Sequence, residues 1–324
     1  KNSFRQLEFQ PIKSFDASDN LIAYIDFRGD FKVFNGKKTI FLSNQNVSYK
    51  LGDNILAMNI GPTLFYLSGS KKIPLTTFGN RYVVSDSLLI YEDTQYNSVF
   101  VLNNGKKKEI YQVVGNLQMP SKVGENTVVF KDNGDFYKIY WRDSIYEYDV
   151  YSQSIHFECG RDIVCFNDPI NQSFTVFDKG ELIDLEPIFV TKYQAGRGFV
   201  VYEDIQGNLW HYTNGEKQQI SNYGSDTWTV QDDLVIWSEN GFVYTIEKGV
   251  KKQLLNYIPK NYKLKNNTYA FRNFMGGVSI YDGKNIVELT KQIKSSYDIY
   301  GNTVIVKLFN RSFLVYSDGK TYEP

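Results

Sequence analysis

A unit of about 35 residues recurs along the whole chain and constrains the fold more than any other feature. Each copy contains four short apolar runs separated by polar turns, as residues 228–255 show most clearly. The residue that opens the second run marks each copy, and successive markers lie 34, 33, 40, 35, 36, 35, 34 and 35 residues apart. These nine markers are Leu21, Ile55, Leu88, Val128, Ile163, Phe199, Leu234, Thr268 and Thr303.

The runs are short, rich in β-branched and aromatic residues, and bounded by Asn, Asp and Gly, which indicates antiparallel strands. Pairs such as Asn104-Gly105 and Asn214-Gly215 are typical of tight hairpins. One four-stranded sheet cannot bury both of its faces, so the copies need one another as neighbours. We therefore expect an all-β fold, a β-propeller of four-stranded antiparallel blades. The copy count favours nine blades, and eight plus a distorted repeat is the alternative.

An unbroken repeat predicts one domain over residues 1–324, with nine repeats of about 35 residues from 15 to 324. Residues 1–14 hold a short apolar stretch, whereas the last repeat keeps only residues 321–323 for a fourth strand. We expect residues 1–14 to supply a strand beside the last repeat and so to close the propeller. The longest gap places extra residues at 111–122, either a tolerated insertion or a functional loop.

Composition limits the chemistry that the chain can carry. The 36 basic and 36 acidic residues cancel, which gives no reason to expect a nucleic acid or an anionic membrane as partner. No apolar run approaches the roughly 20 residues that span a bilayer. Cys159 and Cys165 are expected to remain thiols, and His156 and His211 to be packed strand residues. Three-His and four-Cys zinc sites are impossible, so we expect no metal, no cofactor and no enzymatic activity.

Charged residues at the predicted turns are the candidates for binding a protein partner. Lysines collect at the turns between third and fourth strands, whereas the turns between first and second strands carry mixed charges. Acids collect at the opposite ends of the strands, so a basic rim and an acidic back could orient a partner. The competing interpretation is that charged turns are merely solvated. The candidates are Lys38, Lys72, Lys107, Lys217, Lys252, Asp53, Asp86, Glu125, Arg161, Arg197, Asp232 and Asp233.

Five of these acids also support an alternative function. A pair of carboxylates is the usual machinery of glycoside hydrolysis. The acids placed to form such a pair are Asp53, Asp86, Glu125, Asp232 and Asp233. Asp also caps turns by bonding to the backbone, and this structural role is favoured for all five.

Residues 204–215 read Asp-Ile-Gln-Gly-Asn-Leu-Trp-His-Tyr-Thr-Asn-Gly, and this pattern resembles the repeats of quinoprotein-like and WD-like propellers. The Gly-His and Trp-Asp signature of WD40 repeats and the Ser-x-Asp-x-Gly box of sialidases are absent. No cofactor-binding residue therefore carries over from those families.

The whole chain is rich in Asn, Lys, Tyr and Phe and poor in Pro. In this composition it is similar to the periplasmic plug subunit of the type IX secretion outer-membrane translocon. This resemblance implies a non-enzymatic interaction subunit in the periplasm, exported with a signal peptide since removed; a cytoplasmic location is the alternative. Its partner would be a large membrane-complex subunit. The propeller would dock onto that envelope complex and plug its protein-export channel without spanning the membrane itself. A secreted propeller that binds or cleaves carbohydrate is the alternative.

Overall fold

A computed structural model describes residue 4 and residues 6–79, 81–112, 118–151, 154–222 and 227–323. These residues form 36 β-strands, and no helix occurs among them. The described residues accordingly contain no helix of the length and apolarity needed to cross a membrane. The strands assemble into nine sheets of four strands each.

The first four sheets, here called blades 1 to 4, each take four consecutive strands in sequence order. Blade 1 comprises β1 (Ser14–Ala17), β2 (Ile22–Ile25), β3 (Phe31–Phe34) and β4 (Thr39–Ser43); blade 2 comprises β5 (Val47–Leu51), β6 (Leu56–Ile60), β7 (Thr63–Ser68) and β8 (Lys71–Thr76). Blade 3 comprises β9 (Tyr82–Val84), β10 (Leu88–Asp93), β11 (Ser98–Asn103) and β12 (Lys106–Gln112); blade 4 comprises β13 (Lys122–Val123), β14 (Thr127–Lys131), β15 (Phe136–Trp141) and β16 (Ser144–Tyr151).

Blades 5 to 9 follow the same order. Blade 5 comprises β17 (Phe157–Cys159), β18 (Ile163–Asp168), β19 (Ser173–Asp178) and β20 (Glu181–Glu186); blade 6 comprises β21 (Lys192–Ala195), β22 (Phe199–Glu203), β23 (Leu209–Thr213) and β24 (Glu216–Ser221). Blade 7 comprises β25 (Thr227–Gln231), β26 (Leu234–Glu239), β27 (Phe242–Glu247) and β28 (Val250–Leu255). Blade 8 comprises β29 (Tyr262–Lys265), β30 (Thr268–Arg272), β31 (Val278–Tyr281) and β32 (Ile286–Thr290); blade 9 comprises β33 (Ser296–Tyr300), β34 (Thr303–Lys307), β35 (Phe313–Ser317) and β36 (Lys320–Tyr322).

Nine four-stranded antiparallel blades confirm the all-β propeller and decide the blade count in favour of nine. Every second strand begins within one residue of its sequence marker, from β2 at Ile22 to β34 at Thr303.

The predicted closing strand at residues 1–14 is wrong for the residues that the structure describes there. Residues 4 and 6–13 carry no strand, and Ser14 already belongs to β1 of blade 1. The segment bonds to blade 1 instead: the Glu8 carboxylate accepts from Tyr24 and Lys32, and the Lys13 N–H donates to the Ile25 carbonyl. Blade 9 pairs its own short strand β36 with β35, so the last repeat completes its sheet alone.

Tight turns with positive φ at both central residues join many third and fourth strands. Asn104 and Gly105 have φ of 48° and 79°, and Asn214 and Gly215 have φ of 50° and 83°. This conformation matches the twist of an antiparallel pair, and Asn followed by Gly adopts it at low cost. The hairpins that the sequence predicts at these pairs are confirmed.

A register shift recurs where the third strand pairs with the end of the fourth. It occurs at Val99/Phe100 in blade 3, at Leu209/Trp210 in blade 6 and at Val243/Tyr244 in blade 7. A bulge of this kind adds local twist, so the fourth strand turns away from the plane of the first three.

The chain divides into two compact units, residues 1–164, 168–171 and 179–181 in the first and residues 165–167, 172–178 and 182–324 in the second. In the first unit, Phe31 and Val33 of blade 1 pack with Leu56 and Met58 of blade 2. In the second unit, neighbouring blades pack in the same way, through the sets Leu234, Ile236, Tyr269 and Phe271 (blades 7 and 8) and Ala270, Ile280, Val304 and Val306 (blades 8 and 9). Full burial of each large apolar side chain contributes about 1.5–3 kcal/mol, so the blades stabilise one another. The prediction of one domain stays a prediction.

Other local predictions have mixed outcomes. Neither Cys159 nor Cys165 forms a disulfide, as expected. His211 is buried within β23, where burial lowers its pKa to about 4. His156 is not within a strand: it lies exposed directly before β17, with its Nε2 2.9 Å from the Glu158 carboxylate. The insertion predicted at 111–122 falls partly outside the described residues, at positions 113–117.

Candidate interaction surface

Each blade has three turns, which we name by their order in the blade. First turns join the first and second strands, second turns join the second and third, and third turns join the third and fourth. Because the strands are antiparallel, first and third turns lie at one end of a blade. Second turns and the links between blades lie at the other end.

First turns in the first unit bond from one blade to the next. The Asn20 amide donates to Asn54 Oδ1 at 2.7 Å, and the Asn54 N–H donates to the Asp86 carbonyl at 2.8 Å. The Ser85 hydroxyl then donates to the Gly124 carbonyl at 2.5 Å. The polar groups of these turns are therefore used in holding blades 1 to 4 together.

The next first turns are joined more strongly because charged groups take part. The Asn126 amide donates to Asp162 Oδ1 at 2.8 Å, and the Asp162 N–H donates back to Asn126 Oδ1 at 2.7 Å. The Trp141 indole donates to the same Asp162 oxygen at 2.6 Å. Arg161 forms an ion pair with Glu125 across the same two turns. The structure thus pairs the predicted partner-binding residues Glu125 and Arg161 with each other.

First turns in the second unit repeat this arrangement. The Arg197 guanidinium lies 3.1 Å from the Asp233 carboxylate, and the backbone N–H of Arg197 donates to the Asp232 carbonyl at 2.8 Å. Asp232 Oδ2 in turn accepts from the Asn266 N–H at 2.7 Å. Asp53, in blade 2, is buried. Most of the acids proposed for carbohydrate chemistry therefore contribute to contacts between blades, and the carbohydrate hypothesis itself stays a prediction.

The predicted basic rim lies at the start of the fourth strands, where several lysines bind neighbouring blades. Lys72 donates to the Leu42 carbonyl at 2.9 Å, Lys217 to the Leu185 carbonyl at 3.2 Å, and Lys252 to the Lys284 carbonyl at 2.9 Å. The Lys107 ammonium lies 3.7 Å from the centre of the Phe100 ring. Lys38 is exposed and donates its backbone N–H to Asn35 Oδ1 at 3.1 Å.

Most second turns are capped from within by one Asp or Asn. Asp26 Oδ1 accepts from the N–H groups of residues 28, 29 and 30 at 2.9, 3.0 and 2.9 Å. Asp204 accepts from residues 206 and 208, both at 2.8 Å, and from the Trp210 indole at 2.9 Å. Asn273 accepts in the same way from residues 275 and 277 at 3.1 and 2.9 Å. Asp26 and Asp204, two of the acids that the sequence places on an acidic back, are therefore turn caps, whereas Glu92 and Glu239 form ion pairs with Arg81 and Lys251.

These hydrogen bonds favour the charged form of the caps. Burial opposes ionisation of Asp204, but the bonds from Trp210, Asn208 and the turn N–H groups outweigh it and lower the pKa of Asp204. The hydrogen bond from Lys32 lowers the pKa of Asp26. Asp132 shows the same cap, with bonds from residues 134 and 136 at 2.8 and 3.1 Å. No cluster of His, Cys, Asp or Glu suited to a metal occurs within the described ranges.

Capping leaves the tips of the second turns exposed, and these tips carry large apolar side chains. The residue directly after the cap is Phe27 in blade 1, Ile205 in blade 6 and Phe274 in blade 8, with exposed fractions of 61, 62 and 82 %. Met275 and Phe309 are 74 and 71 % exposed. Sequence reasoning from charge missed these residues. An apolar residue directly after a capping Asp or Asn, two positions before Gly, is the signal that could have found most of them.

Comparisons with known proteins support the fold. No curated protein matches the chain. The solved structure titled "Crystal structure of the eukaryotic initiation factor" is 9 % identical, with a TM-score of 0.50 over 95 % of this chain and 96 % of that one. The computationally designed Ika8 protein is 12 % identical (TM-score 0.39; 96 % and 97 % covered), as is AztD from Citrobacter koseri (TM-score 0.39; 85 % and 94 % covered). At these identities the likeness concerns the fold alone.

A sequence model of one family covers nearly the whole chain. That family is described as the 10-bladed beta propeller domain, and its model matches residues 1–322. The described residues form nine blades, one fewer than the family's description gives. On the extent of this match, the chain belongs to the 10-bladed beta propeller domain family.

Proposed function

We propose that the chain is a non-enzymatic docking module that binds a protein partner through the ends of its blades that carry the second turns. The observation that carries this proposal is the exposure of Phe27, Ile205, Phe274, Met275 and Phe309 at those turns. Exposed large apolar side chains that lie next to one another, as Phe274 and Met275 do, mark protein–protein interaction sites. Propellers commonly serve as interaction scaffolds, which agrees with this assignment.

The turns that present these side chains are suited to binding. The tips that carry Phe27, Ile205 and Phe274 are each fixed by two or three backbone hydrogen bonds to one cap. A side chain on a turn already ordered loses little further backbone entropy when a partner arrives. The free energy gained by burying apolar area then contributes to affinity, because little of it is needed to offset the entropy cost of ordering a loop.

The first turns support the proposal by contrast. Their charges bind one another across neighbouring blades, as Glu125 does with Arg161 and Arg197 with Asp233. Groups already engaged in this way would have to give up those contacts to bind a partner. We therefore place docking at the second turns and blade cohesion at the first.

The wider setting follows the resemblance of the sequence to a translocon plug subunit. In this extension of the proposal the module works in the periplasm, docks onto a large envelope complex and plugs its protein-export channel. Co-purification of the chain with envelope membranes, and its release when the complex is dissolved, would test this setting.

Site-specific photo-crosslinking in the native host tests the docking proposal. A photoreactive phenylalanine analogue is placed at Phe27, Ile205 or Phe274, and at Phe41 and Val250 as controls. The control positions are also exposed, at 57 and 65 %, but Phe41 lies within β4 and Val250 starts β28 directly after a third turn. We expect a discrete crosslinked protein from at least one second-turn position and none from the controls. Equal labelling at all five positions, or none, would contradict the proposal.

A further inference from the structure

One group of exposed apolar side chains lies close together on blades 8 and 9. It consists of Phe274 and Met275 in the second turn of blade 8, Ile293 in the link between the blades, and Phe309 in the second turn of blade 9. Ile293 is 69 % exposed. We call these four residues the apolar patch.

Several contacts show that the members of the apolar patch are neighbours. A Cβ placed on Gly276, next to Met275, would lie 3.2 Å from Ile293 Cγ1. The Phe309 N–H donates to Gln292 Oε1 at 2.9 Å, which ties the second turn of blade 9 to the link. Phe274 meets Tyr257 edge to face, with ring centres 6.1 Å apart. The patch therefore has an ordered base of backbone and side-chain contacts.

Arg272, the last residue of β30, organises this base. Its Nη1 donates to the Gly276 and Ile293 carbonyls at 3.2 and 3.1 Å, and to the Ser295 hydroxyl at 3.2 Å. Its Nη2 donates to the Ser295 carbonyl. One guanidinium thus joins the second turn of blade 8 to the link that carries Ile293. Four hydrogen bonds from one fixed cation hold the patch in a single arrangement.

A basic pocket lies beside the apolar patch, and Arg272, which bonds to the backbone of Gly276 and Ile293, also lines this pocket. The pocket has a volume of about 420 Å³ and is lined by Lys260, Lys263 and Arg272, with Tyr262 and Tyr297 among the other lining residues. One acid, Asp298, pairs with Lys263. The ion pairs formed among the described residues include Lys263 with Asp298 in this region, and none of them involves Lys260.

Further charges around the patch have the same sign. The Lys294 ammonium lies 5.8 Å from the centre of the Phe309 ring, and Lys291 and Arg311 lie in the same link and the same second turn. Glu288 is the acid that reaches the patch, through a 3.4 Å contact with the Asn273 amide. The local balance of charge is therefore positive although the whole chain is neutral.

We propose that the apolar patch and the basic pocket together bind a peptide segment of a partner that combines acidic with large apolar side chains. The apolar side chains cover Phe274, Met275, Ile293 and Phe309, and one or two carboxylates enter the pocket between Lys260 and Lys263. Complementary charge fixes the register of the segment, and burial at the patch supplies the affinity. This inference rests on the docking function proposed above and names the surface and the chemistry of the partner.

A library of random 12-residue peptides displayed on phage and selected on the purified chain tests the inference. We expect the selected sequences to be enriched in Asp and Glu next to Phe, Leu or Trp. Labelled peptides from this set should lose at least about tenfold in affinity on the Phe274→Ser/Phe309→Ser variant. A comparable loss is expected on Lys260→Glu, with weaker binding as salt rises.

Phe41→Ser is the matched control, because Phe41 is also a largely exposed phenylalanine, at 57 %, but lies within β4 and not at a second turn. It should leave the affinity of the selected peptides unchanged. Selection of basic or purely polar peptides, no enrichment, or equal binding to the double variant would overturn the inference. Binding of the chain to phosphatidylserine vesicles, without binding to any peptide, would also overturn the inference. If crosslinks still form from Phe27 or Ile205 in any of these cases, the docking function stands and only its assignment to this patch fails.

Discussion

The first and second turns lie at opposite ends of the same blades and use their polar groups in opposite ways. In the first turns, Asn126 and Asp162 exchange hydrogen bonds between blades 4 and 5, and Gly52 of blade 2 lies against the backbone of Ser85 in blade 3. In the second turns, one residue such as Asp204 satisfies the N–H groups of its own turn. The first turns therefore bond mainly to the next blade, whereas a second turn of this kind satisfies its backbone N–H groups from within.

This difference shows where the fold leaves room for function. A turn that bonds to the next blade cannot change its residues without loosening the contact between blades. A turn that is satisfied from within can vary its tip at little cost in stability, and the tips carry Phe27, Ile205 and Phe274. Loops that are independent of the scaffold in this way are the usual carriers of binding residues.

The largest effect is expected where two first turns meet most closely. A Cβ on Gly52 would lie 2.0 Å from the Ser85 carbonyl oxygen, a backbone atom that cannot move alone. Gly52→Ala should therefore lower the free energy of unfolding by about 3 kcal/mol or more. Gly241→Ala, in the second turn of blade 7, meets no atom within 4 Å and strains only a positive φ of 82°. Its cost should be about 1 kcal/mol. Urea unfolding compares the two, and similar costs would break the distinction between the turns.

Much of the fold could be predicted from the sequence because the pattern of apolar runs and turns repeats with a nearly fixed period, and each repeat forms one blade. The markers Leu88, Ile163 and Phe199 coincide with the first residues of β10, β18 and β22. Local turn chemistry predicted the hairpins at Asn104 and Asn214 for the same reason. The closing strand at residues 1–14 failed because the last repeat needs only β36, three residues long, to complete its sheet. Chain pattern alone cannot show which blade a terminal segment will contact.

The candidate surface was harder to predict, since charge does not reveal whether a side chain is already engaged. Lys72 and Lys217 look solvated in the sequence, yet each donates to a carbonyl 30 or 32 residues away. That separation is close to the repeat period, which could have indicated a contact between blades. Phe274 and Phe309 were overlooked because an apolar residue in a strand-rich repeat is expected to be buried. Their exposure depends on the turn geometry.

A smaller effect is expected from the exchange of hydrogen bonds between Asn126 and Asp162. The Asn126 amide donates to the Asp162 carboxylate in a partly buried bond, so the two side chains should be coupled by about 2 kcal/mol, whereas the bond from the Asp162 backbone N–H survives in Asp162→Ala. A double-mutant cycle of Asn126→Ala and Asp162→Ala, followed by urea unfolding, measures this coupling. The cycle of Asn126→Ala with Asp26→Ala, a second-turn cap, should be additive. A coupling near zero in the first cycle would show that the first turns are not joined in the way described.

A weaker effect, on the pH dependence of stability, is expected at the charged Asp caps of the second turns and not at the neutral Asn caps. The pKa of Asp204 is lowered in the folded chain, so the unfolded chain binds its proton more readily. The stability that this group contributes is present above its unfolded pKa, near 3.9, and is lost as pH falls through the folded value. Asp204→Asn should therefore reduce the loss of stability between pH 6 and pH 2.5, as measured by the urea midpoint. Asn273→Ser, which alters a neutral cap, should leave the pH dependence unchanged. An unchanged slope in Asp204→Asn would mean that the turn does not depend on the charge.

The smallest effect is expected at the tips themselves, and it decides whether they are available for binding. Phe274→Ser and Phe309→Ser remove side chains that are mostly solvent-exposed, so each should change the free energy of unfolding by less than about 0.5 kcal/mol. Ile280→Ala, in the core between blades 8 and 9, should cost about 2–5 kcal/mol by comparison. Thermal unfolding of the three variants makes this comparison directly. A loss at Phe274 or Phe309 approaching that at Ile280 would show that the tips hold the blades together, as the first turns do. Conversely, unchanged stability with lost peptide binding separates docking from folding at this end of the blades.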